Sequence, residues 1–148
     1  MTDFAEMRKL IREEERARWA VEKQMSKATK RTTSFSSSGR GGGKPGSQVE
    51  ENSILLAALK DDYQEIAEAL EAARRELRAG IAMLPIKEYR LERSMIRMRY
   101  IRGIEVRKIA VARNYSEQHV FRVVKRAEML INQAQRAAEG GAKEESSC

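Results

Sequence analysis

One pattern constrains this chain more than any other: an apolar seam whose spacing alternates between three and four residues runs through residues 49–77. Its positions are Val49, Asn52, Leu56, Leu59, Tyr63, Ile66, Leu70, Ala73 and Leu77, with Asn52 as the polar member. This spacing over four heptads is typical of a coiled coil and predicts a long amphipathic helix over residues 47–83. Such a helix needs a partner for its seam, either the first helix of the chain folded back as a hairpin or a second copy of the chain.

The composition favours helices throughout. Hydrophobic residues make up 41% of the 148 residues, aromatic residues 5% and charged residues 34%. Ala, Glu, Arg, Leu and Met are plentiful and are good helix formers, whereas residues that favour strands are few. We therefore expect an all-α fold of long helices around a modest core.

Two segments precede the long helix. Residues 1–27 predict an N-terminal helix, because Asp3 and Glu6 form a capping box and a weak apolar stripe follows. Residues 28–46 are rich in Ser and Gly and contain no acidic residue, which predicts a flexible linker. The Gly-rich run within residues 40–47 lacks the spacing and the preceding strand of a phosphate-binding loop.

Several function classes are not expected. The chain has no apolar run long enough to span a membrane and no secretory signal, so we expect no membrane partner and a cytoplasmic location. The single Cys148 and the single His119 have no Cys or His neighbours in sequence, so we expect neither a metal site nor a nucleophilic pair. We expect no cofactor and no enzymatic activity.

The positive charge is concentrated in one segment. Residues 84–136 contain 13 Lys and Arg against five Asp and Glu, a net charge of +8. Residues 49–83 contain four against eight, a net charge of −4. This asymmetry favours a polyanionic partner for residues 84–136.

Residues 84–131 predict three short helices. The first covers residues 86–101, Gly103 makes a turn, and residues 106–112 form a two-turn helix that Asn114 closes in the left-handed conformation. Ser116 is a good N-cap for the last helix, which we expect to bury Val120, Val123 or Val124, Ala127 and Leu130 or Ile131. Helix, tight turn and basic helix is the arrangement that enters a DNA major groove.

The residues of this segment carry a resemblance to known proteins. They are Leu84-Pro85, Met98-Arg99-Tyr100-Ile101-Arg102-Gly103, Ile109-Ala110, Asn114-Tyr115-Ser116, Val120 and Ala127. This run resembles region four of bacterial sigma factors. The whole arrangement is similar to phage and prophage proteins related to the RinA/ArpU-type late transcription regulators, through Arg99-Tyr100-Ile101-x-Gly103 and residues 115–122. Two positions depart from the sigma pattern, because Glu105 stands where Ser or Thr is usual and Asn114 where Gly is usual.

The resemblance implies which residues contact DNA. Residues at the start of the last helix would point into the groove and read bases: Glu117, Gln118, His119 and Arg122. Other basic residues would hold phosphates: Lys125, Arg126, Arg107, Lys108 and Arg113.

The expected function is a phage-type, sequence-specific transcriptional regulator of the bacterial host cell that binds double-stranded DNA as a homodimer through residues 49–77. Residues 132–148 are expected to form a disordered tail. Two alternatives remain open. One is an adaptor that binds RNA polymerase without reading DNA, and the other is a DNA-packaging subunit of the small-terminase type.

Overall fold

The computed structural model describes the backbone of residues 1–34 and 45–146 and the side chains of residues 1–27 and 49–141. All regular elements in these ranges are helices, which confirms the all-α fold class. The α-helices are α1 (Phe4–Ser34), α2 (Pro45–Ala82), α3 (Arg90–Ile96), α4 (Val106–Arg113) and α5 (Glu117–Ser146). A π-helical turn, Arg97–Ile101, continues α3. No helix in the described ranges is long and apolar enough to cross a membrane.

The predicted linker is too long at both of its ends. α1 continues to Ser34 and α2 begins at Pro45, so the ends of the predicted linker, residues 28–46, are helical. The middle of that linker, residues 35–44, lies outside the described residues.

The predicted disordered tail is also wrong for most of its length, because α5 continues to Ser146. Residues 132–139 consist largely of Ala, Gln, Arg and Glu, which are good helix formers. Gln135, in the middle of this segment, is buried and hydrogen-bonded, so tertiary contacts also hold the helix here.

The chain divides into two compact units. Residues Arg12–Leu70 form the smaller unit, and Met1–Ile11 together with Glu71–Cys148 form the larger one.

Within the smaller unit, α1 provides a partner for the seam of α2. The buried Gln24 donates a hydrogen bond from Nε2 to Oδ1 of Asn52 at 3.3 Å. Asn52 is the polar seam position, and the seam positions from 56 to 66 are half-buried in the single chain. The contact therefore favours the hairpin alternative at this position. Self-association through residues 49–77 stays a prediction, which sedimentation at tens of micromolar would test.

The core of the larger unit forms where α5 packs against α3 and α4. Its buried hydrophobic residues from residue 77 onward are Leu77, Ile81, Leu84, Met95, Ile96, Tyr100, Ile109, Ala110, Val120, Val123, Val124, Ala127 and Ile131. Ile131 rather than Leu130 takes the last of these positions, and both Val123 and Val124 are buried. The burial of Ile96 and Tyr100 was not predicted.

Gly80 allows α2 to approach α5 closely. A Cβ atom at this position would lie 2.7 Å from Cγ2 of Ile131 and 2.8 Å from Nε2 of Gln135. A glycine at this position predicts an end or a bend of the helix, but α2 continues through Gly80 to Ala82. The residue serves close packing and does not end the helix.

The first residues of the chain complete the core of the larger unit. The side chains of Phe4, Met7 and Ile11 are buried, and the rings of Phe4 and Tyr100 lie 5.1 Å apart. The backbone N–H of Thr2 donates to Oε1 of Gln135, and Nε2 of Gln135 donates to Oγ1 of Thr2, both at 2.8 Å. These contacts join parts of the chain more than 90 residues apart.

A polar cluster next to this contact joins α1, the π-helical turn and α5. Arg8 donates from NH1 to the Tyr100 hydroxyl at 2.8 Å and to Oε1 of Glu128 at 3.1 Å. The Tyr100 hydroxyl in turn donates to Glu128. Burial raises the pKa of Tyr100 to about 12, and the Glu128 carboxylate adds to this shift. The neutral hydroxyl therefore stays in place as a donor over the whole physiological range.

Candidate nucleic-acid interface

The turn between α3 and α4 determines where α4, the first helix of the candidate interface, begins. Gly103 has φ of +66°, a conformation that L side chains rarely adopt. Glu105 is the N-cap residue of α4 and makes no side-chain cap hydrogen bond. Glu caps a helix less well than Ser or Thr, and burial of Ile109 and Ala110 holds α4 on the core.

The three-residue connection from α4 to α5 has the predicted local chemistry. Asn114 ends α4 in the left-handed conformation, with φ of 57° and ψ of 40°. The Tyr115 N–H donates to the Ala110 carbonyl at 3.0 Å. Oγ of Ser116 accepts a hydrogen bond from the His119 N–H at 3.1 Å, which confirms Ser116 as the N-cap residue of α5.

The buried face of α5 determines which side chains point away from the protein. Val120 and Ala127 are fully buried, seven residues apart. Successive helical residues are rotated by about 100°, so Gln118, Arg122 and Lys125 lie on the opposite face, at spacings of four and three residues. All three are exposed. We call these three residues the outer stripe of α5.

The other two candidate base-reading residues lie beside this stripe. Glu117 is exposed in the first turn of α5, but five helical positions separate it from Arg122, a rotation of about 140°. His119 is half-buried, with its ring 4.8 Å from that of Tyr115. The predicted set of four therefore divides into Gln118 and Arg122 on the outer face and Glu117 and His119 at its flanks.

Two of the candidate phosphate-binding residues on α5 have neighbours within the protein. Nζ of Lys125 lies 4.5 Å from the ring centroid of Phe121, an exposed aromatic residue on the same helix. NH1 of Arg126 lies 3.8 Å from Oε1 of Glu92 on α3, while its own side chain is mostly exposed. Pairs with so much solvent exposure are weak and leave both cations accessible to a partner.

The candidate residues on α4 are separated along that helix. Arg107 and Lys108 are exposed in its first turn, beside Glu105 and the exposed Val111. Arg113 lies in its last turn and donates from its guanidinium to the Ser94 hydroxyl of α3. Arg113 therefore faces α3 and contributes to a different part of the surface.

That part of the surface is a groove that the sequence analysis missed. It has a volume of about 730 Å³ and five arginines line it: Arg90, Arg93, Arg97, Arg102 and Arg113. We call it the arginine groove. The sequence contains a signal for it, because Arg90, Arg93 and Arg97 follow one another at spacings of three and four on one helical face. Arg102 and Arg113 join them only through the fold.

No protein-family model, curated protein or solved structure matches this chain. Its function is therefore inferred from its residues and their geometry.

Proposed function

We propose that this chain is a sequence-specific, double-stranded-DNA-binding transcriptional regulator of the phage or prophage type, acting in a bacterial host cell. It binds DNA by placing α5 in the major groove, in the manner of the sigma region-four-like proteins it resembles. The observation that carries this proposal is the outer stripe of α5, in which Gln118, Arg122 and Lys125 are exposed on a helix capped by Ser116 and buried on its other face.

The outer stripe has the right chemistry for reading base edges. An amide side chain pairs with adenine through two hydrogen bonds, and a guanidinium pairs with guanine in the same way. Gln118 and Arg122 are four residues apart, one helical turn, so both reach neighbouring base pairs from one helix. Glu117 and His119 contact the edges of the site, with the Glu117 carboxylate able to accept from cytosine N4.

Phosphate contacts would orient α5 in the groove. Lys125 and Arg126 lie farther along α5, and Arg107 and Lys108 lie in the first turn of α4, so they provide cations on two helices. Such contacts fix position and add affinity but carry no sequence information. Arg113, which is hydrogen-bonded to Ser94, would contribute to the local positive potential.

Binding to a preferred and a scrambled duplex over a salt series tests this division of roles. Arg122→Ala should weaken binding to the preferred duplex by about 1 to 3 kcal/mol and change binding to the scrambled duplex far less. Lys125→Ala should weaken both duplexes alike and lower the salt slope by about one unit, since one fewer counterion is released.

Arg75→Ala is the matched control, because Arg75 is an exposed arginine of α2 outside the proposed interface and its loss changes the net charge equally. If Arg122→Ala and Arg75→Ala have the same effect on both duplexes, α5 does not read bases. The polymerase-adaptor function would then be the better proposal.

A further inference from the structure

The arginine groove differs in its chemistry from the outer stripe of α5. α3, the π-helical turn, the turn before α4 and the last turn of α4 contribute to it. Besides the five arginines, its lining includes the apolar residues Ile86, Met98 and Ile104 and the hydroxyl of Ser94, and no carboxylate is among its described lining residues. The groove therefore combines a concentrated positive charge with an apolar wall.

Two of the arginines are oriented by the protein. NH1 of Arg93 donates to the carbonyl oxygens of Ile81 and Leu84, both at 2.6 Å, and Arg113 donates to Ser94. These bonds fix two guanidinium groups at the groove before any ligand arrives. A preorganised guanidinium loses less entropy when it binds an anion.

Among the described residues, no such bond is seen for the other three arginines. Arg90, Arg97 and Arg102 are exposed, and their side chains make no hydrogen bond or ion pair with the residues that the structure describes. Five like charges around one concave surface repel one another, and an anion in the groove removes that repulsion. The planar fork of a guanidinium matches the geometry of a phosphate group through two hydrogen bonds.

The volume and the apolar wall of the arginine groove restrict the chemical class of this anion. A volume of about 730 Å³ lies within the range of small-molecule sites. A DNA duplex is a convex rod whose phosphates would touch the rim and leave Ile86, Met98 and Ile104 without a partner. A compact molecule with several phosphate charges and a planar apolar part would use both surfaces.

We propose that the arginine groove binds a phosphorylated small molecule that carries at least two phosphate groups and a planar apolar moiety, of the nucleoside diphosphate class. The phosphates contact Arg97, Arg102 and the neighbouring arginines, and the planar part packs against Ile86 and Met98. This site is separate from the outer stripe of α5, so it does not depend on whether α5 reads DNA.

Isothermal titration of the full chain at about 0.15 M salt tests the proposal, with ADP as the probe and pyrophosphate and adenosine as its two halves. ADP should bind more tightly than pyrophosphate, and adenosine should bind weakest, because only ADP engages both surfaces. The double variant Arg97→Gln/Arg102→Gln should weaken ADP binding by about a hundredfold, since each of the two lost charge-assisted contacts contributes about 1.4 kcal/mol, a factor of ten.

Arg75→Gln is the matched control and should leave ADP binding within about twofold, which excludes a general effect of net charge. The circular dichroism spectrum and the melting temperature should be the same for all variants, because the replaced side chains are exposed. Absence of ADP binding at millimolar concentration, or equal ADP binding by the double variant and the parent, overturns the proposal. Loss of duplex DNA binding in the double variant without any ADP binding by the parent would instead make the groove a contact for the DNA backbone.

Discussion

Replacing Met7 with Ala should destabilise the larger unit, although Met7 lies more than 80 residues from α3 in sequence. The Met7 side chain is 1% exposed and lies one helical turn from the buried Phe4 and Ile11. Removal of a fully buried Met side chain costs about 2 to 5 kcal/mol. The whole free energy of unfolding of a domain this size is about 5 to 15 kcal/mol, so one substitution removes a large part of it.

Met25→Ala is the matched control for this prediction. Met25 is on the same helix and has the same side chain, but it is 48% exposed. Its replacement should change the free energy of unfolding by no more than about 0.5 kcal/mol. The comparison separates burial from any change in the helix propensity of α1.

Urea denaturation, followed by circular dichroism at 222 nm, measures both variants. With a slope of about 2 kcal/mol per molar urea, Met7→Ala should lower the midpoint by about 1 to 2.5 M, while Met25→Ala should leave it nearly unchanged. In a second experiment, deletion of residues 1–11 should abolish the cooperative unfolding transition of α3 to α5. Equal midpoints for Met7→Ala and Met25→Ala would refute the assignment of residues 1–11 to this core.

Three further predictions concern the core and the cap of α5. Gly80→Ala should lower the free energy of unfolding by about 1 to 2 kcal/mol, because the new Cβ overlaps the buried Ile131. At Gly140 a new Cβ meets no atom within 4 Å, so Gly140→Ala should be neutral or stabilising by up to about 1 kcal/mol. Equal effects of the two substitutions in urea denaturation would contradict the packing role of Gly80. Tyr100 has a pKa raised to about 12 in the fold against about 10 when unfolded, so its contribution is complete below pH 10 and about 2 to 3 kcal/mol should be lost as the pH rises through 12. In the Tyr100→Phe variant, this part of the loss of stability at alkaline pH should be absent. The same dependence of the free energy of unfolding on pH in the variant and the parent would contradict this prediction. Ser116→Ala should cost about 1 kcal/mol of stability through the lost cap, and a loss of DNA affinity without any loss of stability would show that the hydroxyl contacts DNA directly.

The features that can be predicted from the sequence are those whose deciding interactions are local. The left-handed Asn114, the cap at Ser116 and the buried positions of α5 each depend on residues within about four positions, so residue type and periodicity determine them. For the same reason the all-α class follows from composition. The outer stripe of α5 could be predicted in part, since Gln118 and Arg122 lie opposite the buried face whatever the surroundings of the helix.

Contacts between residues that are distant along the chain could not be predicted from the sequence. The apolar spacing of Phe4, Met7 and Ile11 indicates a buried face but does not say which part of the chain covers it. The role of Gly80 depends on Ile131, 51 positions later, and a glycine in a helix more often marks an end or a bend. The arginine groove needs the turn at residues 102–105 to bring Arg102 and Arg113 to α3, which no local pattern contains.

The most direct test of the proposed function is a pull-down of fragmented DNA from the encoding genome, sequenced for the full chain and for Arg122→Ala in parallel. The parent should enrich a small set of fragments that share a short motif, and Arg122→Ala should recover DNA with that enrichment reduced by roughly tenfold, the equivalent of about 1.4 kcal/mol at one base pair. Recovery of fragments without a shared motif, and equally by both proteins, would contradict sequence-specific reading by α5.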